Sequence, residues 1–194
     1  MLLLLAGCLS GPALPPFGEV PIVAAQGACR APRAGIAVGC VIDGDTLDAD
    51  RCGEGERVRL LGIDAPEIAK VGAPGECGAE DATEALTDIV RGRRIALSFD
   101  ATCTDVYART LAYVWLVGDD AAGVDPRWLR TGWDGDPDVA AVLVNEVLLG
   151  TGAAAPYPPA TGSALVHQER LERAADDAMR EALGWWGACP RDGR

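Results

Sequence analysis

The sequence predicts an α+β fold in which five short strands form an OB-type β-barrel with three packed helices. Three observations lead there. Apolar and β-branched segments recur with tight turn chemistry between them, at 34–42, 47–50, 57–63, 95–99 and 111–117. A segment of helical periodicity falls between the third and fourth strands. Further helical segments follow the fifth strand, an arrangement that suits a small closed barrel.

The first strand reads AGIAVGCVI over 34–42. Asp43-Gly44-Asp45-Thr46 is a turn signal, after which 47–50 continues as a second strand. Gly53-Glu54-Gly55-Glu56 turns the chain into the third strand. The Pro- and Gly-bearing stretch 66–77 reads as a loop. Over 79–90, Ala79, Ala82, Leu86, Ile89 and Val90 share one helical face, and Arg91-Gly92 closes it. A polar loop, 100–108, separates the fourth and fifth strands. Residues 118–138 are rich in Gly, Asp and Trp and read as a loop insert with a short helical piece at 126–129. A short apolar helix is expected at 139–149, a Pro-rich loop at 151–159 and a long amphipathic helix at 163–183.

The 194 residues allow one domain with an appendage, and an apolar share of 49% is enough for a core. The net charge of −12 excludes a protein that coats nucleic acid by bulk electrostatics. It leaves room for an enzyme that attacks nucleic acid at a small, metal-assisted site. The one histidine, His167, excludes a His-cluster zinc site and disfavours a Ser-His-Asp hydrolase. It is expected to face solvent on the last helix. No run of about 18 apolar residues occurs, so no internal membrane span is expected.

Residues 1–28 are read as an export segment and linker, and 29–194 as the folded domain. Leu5-Ala6-Gly7-Cys8 resembles a bacterial lipoprotein signal in which Cys8 is lipidated; Val23-Ala24-Ala25 before Gln26 is an alternative cleavage site. No Lys or Arg precedes Arg30, which leaves a start upstream of Met1 open. The expected location is outside the cell, either secreted or lipid-anchored at a bacterial surface. Without Cys8, six of the seven cysteines remain, an even set that in an exported protein suggests disulfides of undetermined pairing.

Asp43, Asp45, Asp64 and Glu67 are four carboxylates near strand ends. In a meander, the start of the second strand and the end of the third are expected at opposite ends, so that a curled sheet or barrel is needed to unite them. Oxygen-only ligands suit Ca²⁺ or Mg²⁺. Arg59 and Arg109 would add two guanidinium forks facing a carboxylate-held cation, a set suited to phosphoryl chemistry.

The runs Val41-Ile42-Asp43-Gly44-Asp45-Thr46, Val58-Arg59-Leu60-Leu61-Gly62-Ile63-Asp64-Ala65-Pro66-Glu67 and Asp105-Val106-Tyr107-Ala108-Arg109-Thr110-Leu111-Ala112-Tyr113 resemble the staphylococcal nuclease (thermonuclease) family. Val144-Asn145-Glu146-Val147-Leu148-Leu149 and Leu183-Gly184-Trp185-Trp186 are similar to its later landmarks, in order, with 118–138 as the main interruption. The resemblance implies an OB barrel with packed helices and an endonuclease-type hydrolase of DNA and RNA. It implies dependence on one Ca²⁺ ion and products with 3′-phosphate ends. Asp45, Asp64 and the Ala65 backbone carbonyl would ligate the ion, with Asp43 supporting them. Glu67 would orient or deprotonate the attacking water. Arg59 and Arg109 would clamp the phosphate, and Tyr107 and Tyr157 would contact the nucleotide. A monomer is expected.

The chain departs from the best-known member in carrying Val106 where that protein has lysine. Lys70 is the only lysine. Weak binding to long DNA is therefore expected, with a higher Ca²⁺ requirement or a preference for short or single strands. On the implied barrel, Cys77 and Cys103 approach the site rim, so Cys77–Cys103 is the preferred pair; Cys29–Cys189 could tie the two termini, which leaves Cys40–Cys52. Trp128 and Trp133 are expected to pack the insert, with a base-stacking lip as the other role. The alternative function is an inactive barrel that serves as a nucleic-acid or protein binding module on the cell surface. The intact set Arg59, Asp45, Asp64, Glu67 and Arg109 argues against it.

Overall fold

A computed structural model describes residues 28–157 and 164–189. The Cys8 signal, the alternative cleavage site, Pro158-Pro159 and the expected helix start at Ser163 lie outside the described residues.

Strands β1 (Arg33–Asp43), β2 (Thr46–Ala49) and β3 (Glu56–Leu60) form the expected meander. A two-residue strand β4 (Ile63–Asp64) and helix α1 (Ala79–Val90) follow. Then come β5 (Arg94–Ser98) and β6 (Thr110–Val117). β1 pairs antiparallel with β2 and β5, β2 with β3, and β5 with β6. β3 closes the ring by pairing in parallel with β6, Val58 opposite Thr110 and Leu60 opposite Ala112. The five-stranded barrel is thus closed. Leu47, Val58, Leu60, Ile95, Leu97 and Leu116 are among the side chains buried in the core.

Antiparallel pairing of β2 with β3 sets Thr46 opposite Arg59. The start of β2 therefore lies beside the end of β3, and the expectation that these points sit at opposite ends is wrong. Hairpin neighbours always bring the start of one strand next to the end of the next. Asp45 and the segment leading to Asp64 meet through the hairpin itself.

The insert is not a loop. After two 3₁₀ turns, Gly118–Ala121 and Pro126–Trp128, strands β7 (Arg130–Trp133) and β8 (Asp136–Leu143) form a hairpin. β8 adds to β6, with Trp115 opposite Leu143. Residues 139–143 are therefore strand, and helix α2 (Val144–Gly150) begins only afterwards. A short apolar run satisfies either period. β9 (Ala155–Pro156) pairs with β4, α3 (Gln168–Arg180) is shorter than expected, and a last turn, α4 (Trp185–Ala188), follows Gly184. No helix among the described residues is long and apolar enough to cross a membrane.

His167 does not face solvent. Its Nε2 lies 2.9 Å from Asp134 Oδ2 in the β7–β8 turn, and its ring stands edge-on to Tyr113 and Trp115. Trp133 is buried against Trp115. The Trp128 ring covers Gly150 so closely that a Cβ there would lie 2.1 Å from it. Both tryptophans pack the insert.

The disulfides are Cys40–Cys52, Cys29–Cys103 and Cys77–Cys189. The first is the expected pair; Cys77–Cys103 and Cys29–Cys189 are replaced by the crossed pairing. Cys29 runs beside the end of β5, where its N–H donates to Asp100 O at 2.9 Å, and so reaches the loop that holds Cys103. Gly78, next to Cys77, abuts Trp185 and Cys189, so the C-terminal turn is the nearer partner.

Candidate active site

Gly44 sets the site's base. A Cβ on it would lie 2.6 Å from Ala65 Cβ and 2.7 Å from Ala82 Cβ, so α1 and the β4 exit pack directly on the Asp43–Asp45 turn. Asp45 is 6% exposed. Its Oδ1 accepts from Thr46 Oγ1 at 2.9 Å, and its Oδ2 accepts from Ala65 N–H at 2.8 Å. Asp43 Oδ1 accepts the Asp45 N–H at 3.2 Å.

Arg59 bridges the two aspartates. Its Nη2 donates to Asp64 Oδ1 at 2.9 Å. Its Nη1 lies 2.5 Å from Asp45 Oδ2 but off the hydrogen-bond direction, so the ion pair is close while the buried donor is left without an acceptor. Burial pushes the Asp45 carboxyl up to about 7, against the downward pull of Arg59 and the Ala65 N–H. A carboxylate whose desolvation outweighs its one arginine is a group that a dication relieves.

The donor set fits a hard cation. Asp45, Asp64 and the Ala65 carbonyl are consecutive or bridged oxygens, and no soft ligand is near them. Among the described residues, the only three His, Cys, Asp or Glu ligand atoms that converge within 4.8 Å belong to Cys40, Asp48 and Cys52. Those two sulfurs are bonded to each other, and Asp48 is taken up by Arg57, so that cluster is not a metal site. The carboxylates of the candidate site do not converge within that distance.

The parallel register places Leu111 opposite Arg59, so Arg109, two residues earlier, enters β6 on the strand that neighbours Arg59. Asp105 holds Arg109 twice, accepting from Nε at 2.7 Å and from the backbone N–H at 2.9 Å. Burial raises the Asp105 carboxyl, but its bonds to Arg109 and Tyr107 prevail and hold it below the usual carboxylate range. Tyr107 lies against Arg109, its ring centroid 5.5 Å from the guanidinium carbon, and Tyr157 against Arg59 at 6.0 Å. Each arginine thus has one exposed tyrosine beside it.

Glu67 is more exposed than the aspartates. Its Oε2 accepts from Lys70 Nζ at 2.6 Å, and this contact raises the Lys70 ammonium above its ordinary value. The charges of Asp43 and Arg109 also act on Lys70, so the Glu67 loop stands over the same end of the barrel. The Glu67 backbone is bracketed by Glu76: its N–H donates to Glu76 Oε2 at 2.8 Å, and its carbonyl accepts from the Glu76 N–H at 2.9 Å.

Asp43, Asp45, Arg59, Asp64 and Ala65 are thus joined by direct contacts, whereas Glu67 is held by Lys70 and Glu76, and Arg109 by Asp105 and Tyr107. The sequence reading missed the orienting roles of Asp105 and Glu76. Asp105 had a signal, an acid four residues before an arginine in a turn-forming loop. Glu76 had none, because its partner lies nine residues back across a loop. Asn145 was noted only as part of a motif. It is buried, accepts from Val114 N–H and donates to Leu61 O, fixing the turn that leads to Asp64.

The sequence pattern described as staphylococcal nuclease homologue matches residues 57–188. Over 84 residues the chain is 43% identical to a thermonuclease of Staphylococcus intermedius, covering 43% of this chain and 49% of that protein. It is 37% identical to a thermonuclease of Staphylococcus hyicus over 39% of this chain and 45% of the other. The endonuclease YncB of Bacillus subtilis (strain 168) is 36% identical over 40% of this chain and 37% of its own length. The matched stretch spans about half the length, or less, of these relatives.

Proposed function

Because the chain belongs to the staphylococcal nuclease homologue family, we propose that it is an exported, Ca²⁺-dependent nuclease that hydrolyses phosphodiester bonds of DNA or RNA. The observation that carries this reading is Arg59. It ties Asp45 to Asp64 and keeps a buried Nη1 donor without an acceptor. That nitrogen is ion-paired with Asp45 but poorly aligned for a hydrogen bond, and a phosphate oxygen could accept from it.

Asp45, Asp64 and the Ala65 carbonyl would hold one Ca²⁺, which when bound neutralises charge on the phosphate and eases ionisation of a water. Glu67 takes the proton of the attacking water at its carboxylate, once Lys70 has turned away. The water oxygen bonds to phosphorus, and the bond to the 5′ oxygen breaks. Arg109, oriented by Asp105, hydrogen-bonds to that departing oxygen as its charge develops, and the oxygen then takes a proton from solvent water, while Glu67 releases the proton it took. Arg59 holds a non-bridging oxygen. The products are a 3′-phosphate and a 5′-hydroxyl.

Tyr107 and Tyr157 offer faces to the sugar or base on either side. The exposed Val106 supplies no charge for a distant phosphate, which favours short or single-stranded substrates. Three disulfides fit an oxidising compartment, and Cys8 is the candidate lipid anchor. The chain acts as a monomer in this reading.

The test is incubation of the oxidised chain with single-stranded DNA and with RNA, in Ca²⁺, in Mg²⁺ and with chelator, followed by end-group analysis. Ca²⁺-dependent cleavage with 3′-phosphate ends is expected. A folded chain that binds Ca²⁺ and oligonucleotide without cutting would instead be the binding module.

A further inference from the structure

The loop that carries Glu67 has a neck and little else. Two Glu67–Glu76 bonds, one from the Glu67 N–H to the Glu76 carboxylate and one from the Glu76 N–H to the Glu67 carbonyl, close it at the base. Inside it, Lys70 and Ala73 exchange backbone bonds at 3.0 and 2.9 Å, and Val71 at the tip is wholly exposed. The buried Ala65 and Pro66 fix the leg before Glu67, and with the tip exposed the returning leg is fixed through Glu76. The residue after Glu76 is Cys77, bonded to Cys189 across a sequence separation of 112 residues. Cys189 follows α4, and α4 is anchored in turn: Trp185 N–H donates to Gly152 O at 3.0 Å. Gly152 and Gly184 meet so closely that a Cβ on either would lie 2.2 Å from the other segment's backbone oxygen. Gly78 completes the contact, with Trp185 Cβ, Cys189 Sγ and Pro66 Cγ all within 4 Å of where its Cβ would stand.

We propose that Glu76 and the Cys77–Cys189 disulfide are positioning elements that hold the Glu67 loop in register with the phosphate site. The C-terminal turn thereby becomes part of the machinery for the reaction. Loop closure gives the physical reason. A loop pinned at one point samples many placements, and a misplacement of about 1 Å in a reacting group costs on the order of a hundredfold in rate. Cys40–Cys52 is the internal control, since it staples β1 to the β2–β3 turn and touches neither Glu67 nor Glu76. The kinetic consequence rests on the nuclease reading; the effect on loop order does not.

The test compares the oxidised chain with Cys77→Ser/Cys189→Ser, Cys40→Ser/Cys52→Ser, Glu76→Ala and Glu76→Gln. All are assayed below the melting temperature of the weakest. Two quantities are read: steady-state cleavage of a short single-stranded oligonucleotide in Ca²⁺, and hydrogen exchange at the Glu67 and Glu76 amides. Opening Cys77–Cys189, or Glu76→Ala, should lower kcat at least about tenfold with KM within about threefold. Each should also speed exchange at those amides about tenfold or more. Glu76→Gln keeps an acceptor oxygen and should restore most of kcat, and the Cys40–Cys52 control should leave both readouts near the parent's. The inference is overturned if opening Cys77–Cys189 leaves kcat and exchange unchanged, or if the control loses as much of both. If the parent itself does not cleave, the nuclease reading fails, and the exchange data alone decide whether the clamp orders the loop.

Discussion

Asp45 is buried beside a single arginine, and burial prevails, so its carboxyl is pushed up to about 7 from an ordinary 3.8. The sign follows from that direction. Stability from the protonated group in the ion-free chain is fully present below about pH 4 and is lost as the pH rises through about 7. If Asp45 is a Ca²⁺ ligand, as proposed, the ion must displace that proton. Its apparent affinity should therefore fall up to about tenfold per pH unit below about 7 and level off above it. Calorimetric titration with Ca²⁺ between about pH 5 and pH 8 checks this, and a flat profile would contradict the assignment of Asp45 as a ligand. Arg109 makes a second prediction. Arg109→Ala should lower cleavage on the order of a hundredfold or more, and Arg109→Lys should recover little, because an ammonium cannot replace the fork that Asp105 orients. Asp45, Arg59, Asp64, Glu67 and Arg109 were legible in the sequence because each falls in an ordered motif. Asp105 and Glu76 act by holding a neighbour through a loop, and nothing in their local sequence says which neighbour.

The strands of the barrel and α1 were legible because apolar residues alternate or recur at helical spacing there. The β7–β8 hairpin was not. Its turn residues, Trp133-Asp134-Gly135-Asp136, read as loop, and Val139-Ala140-Ala141-Val142-Leu143 suits a helix as well as a strand until β6 claims it. Asp134 fastens this hairpin to the barrel and to α3. It accepts from Ser98 Oγ at 2.5 Å and pairs with His167, while Trp115 Nε1 donates to the same Ser98 oxygen. Burial pushes the Asp134 carboxyl up, yet His167 and Ser98 outweigh it and hold it below the usual range. The stabilisation it provides is thus present above the ordinary Asp value and lost as the pH falls through its lowered one. Asp134→Ala leaves the buried Ser98 hydroxyl and the largely buried His167 ring without their acceptor, and should cost about 1–3 kcal/mol in denaturant unfolding at neutral pH. A loss below about 0.5 kcal/mol would mean that packing of Trp133 alone holds the hairpin.

Across the whole molecule, three disulfides compensate for a chain whose net charge of −12 opposes compaction. The pairing could not be read from spacing, since it depends on which termini lie beside which loops. Loop length orders their contributions. Removing Cys29–Cys103, with a separation of 74 residues, should cost about 4 kcal/mol, against about 3 kcal/mol for Cys40–Cys52 with a separation of 12. Denaturant unfolding of the paired serine variants measures both, and a larger loss for Cys40–Cys52 would contradict that ordering. Asp45, Asp64, Arg59, Arg109 and Glu67 form the proposed phosphodiesterase site, and single-turnover cleavage of a single-stranded oligonucleotide by the parent chain and by Glu67→Gln tests that proposal. The account predicts cleavage that requires Ca²⁺ and falls at least about a hundredfold in the variant, with Ca²⁺ affinity within about threefold. Cleavage that survives the substitution, or a folded Ca²⁺-binding parent that does not cut at all, would contradict it.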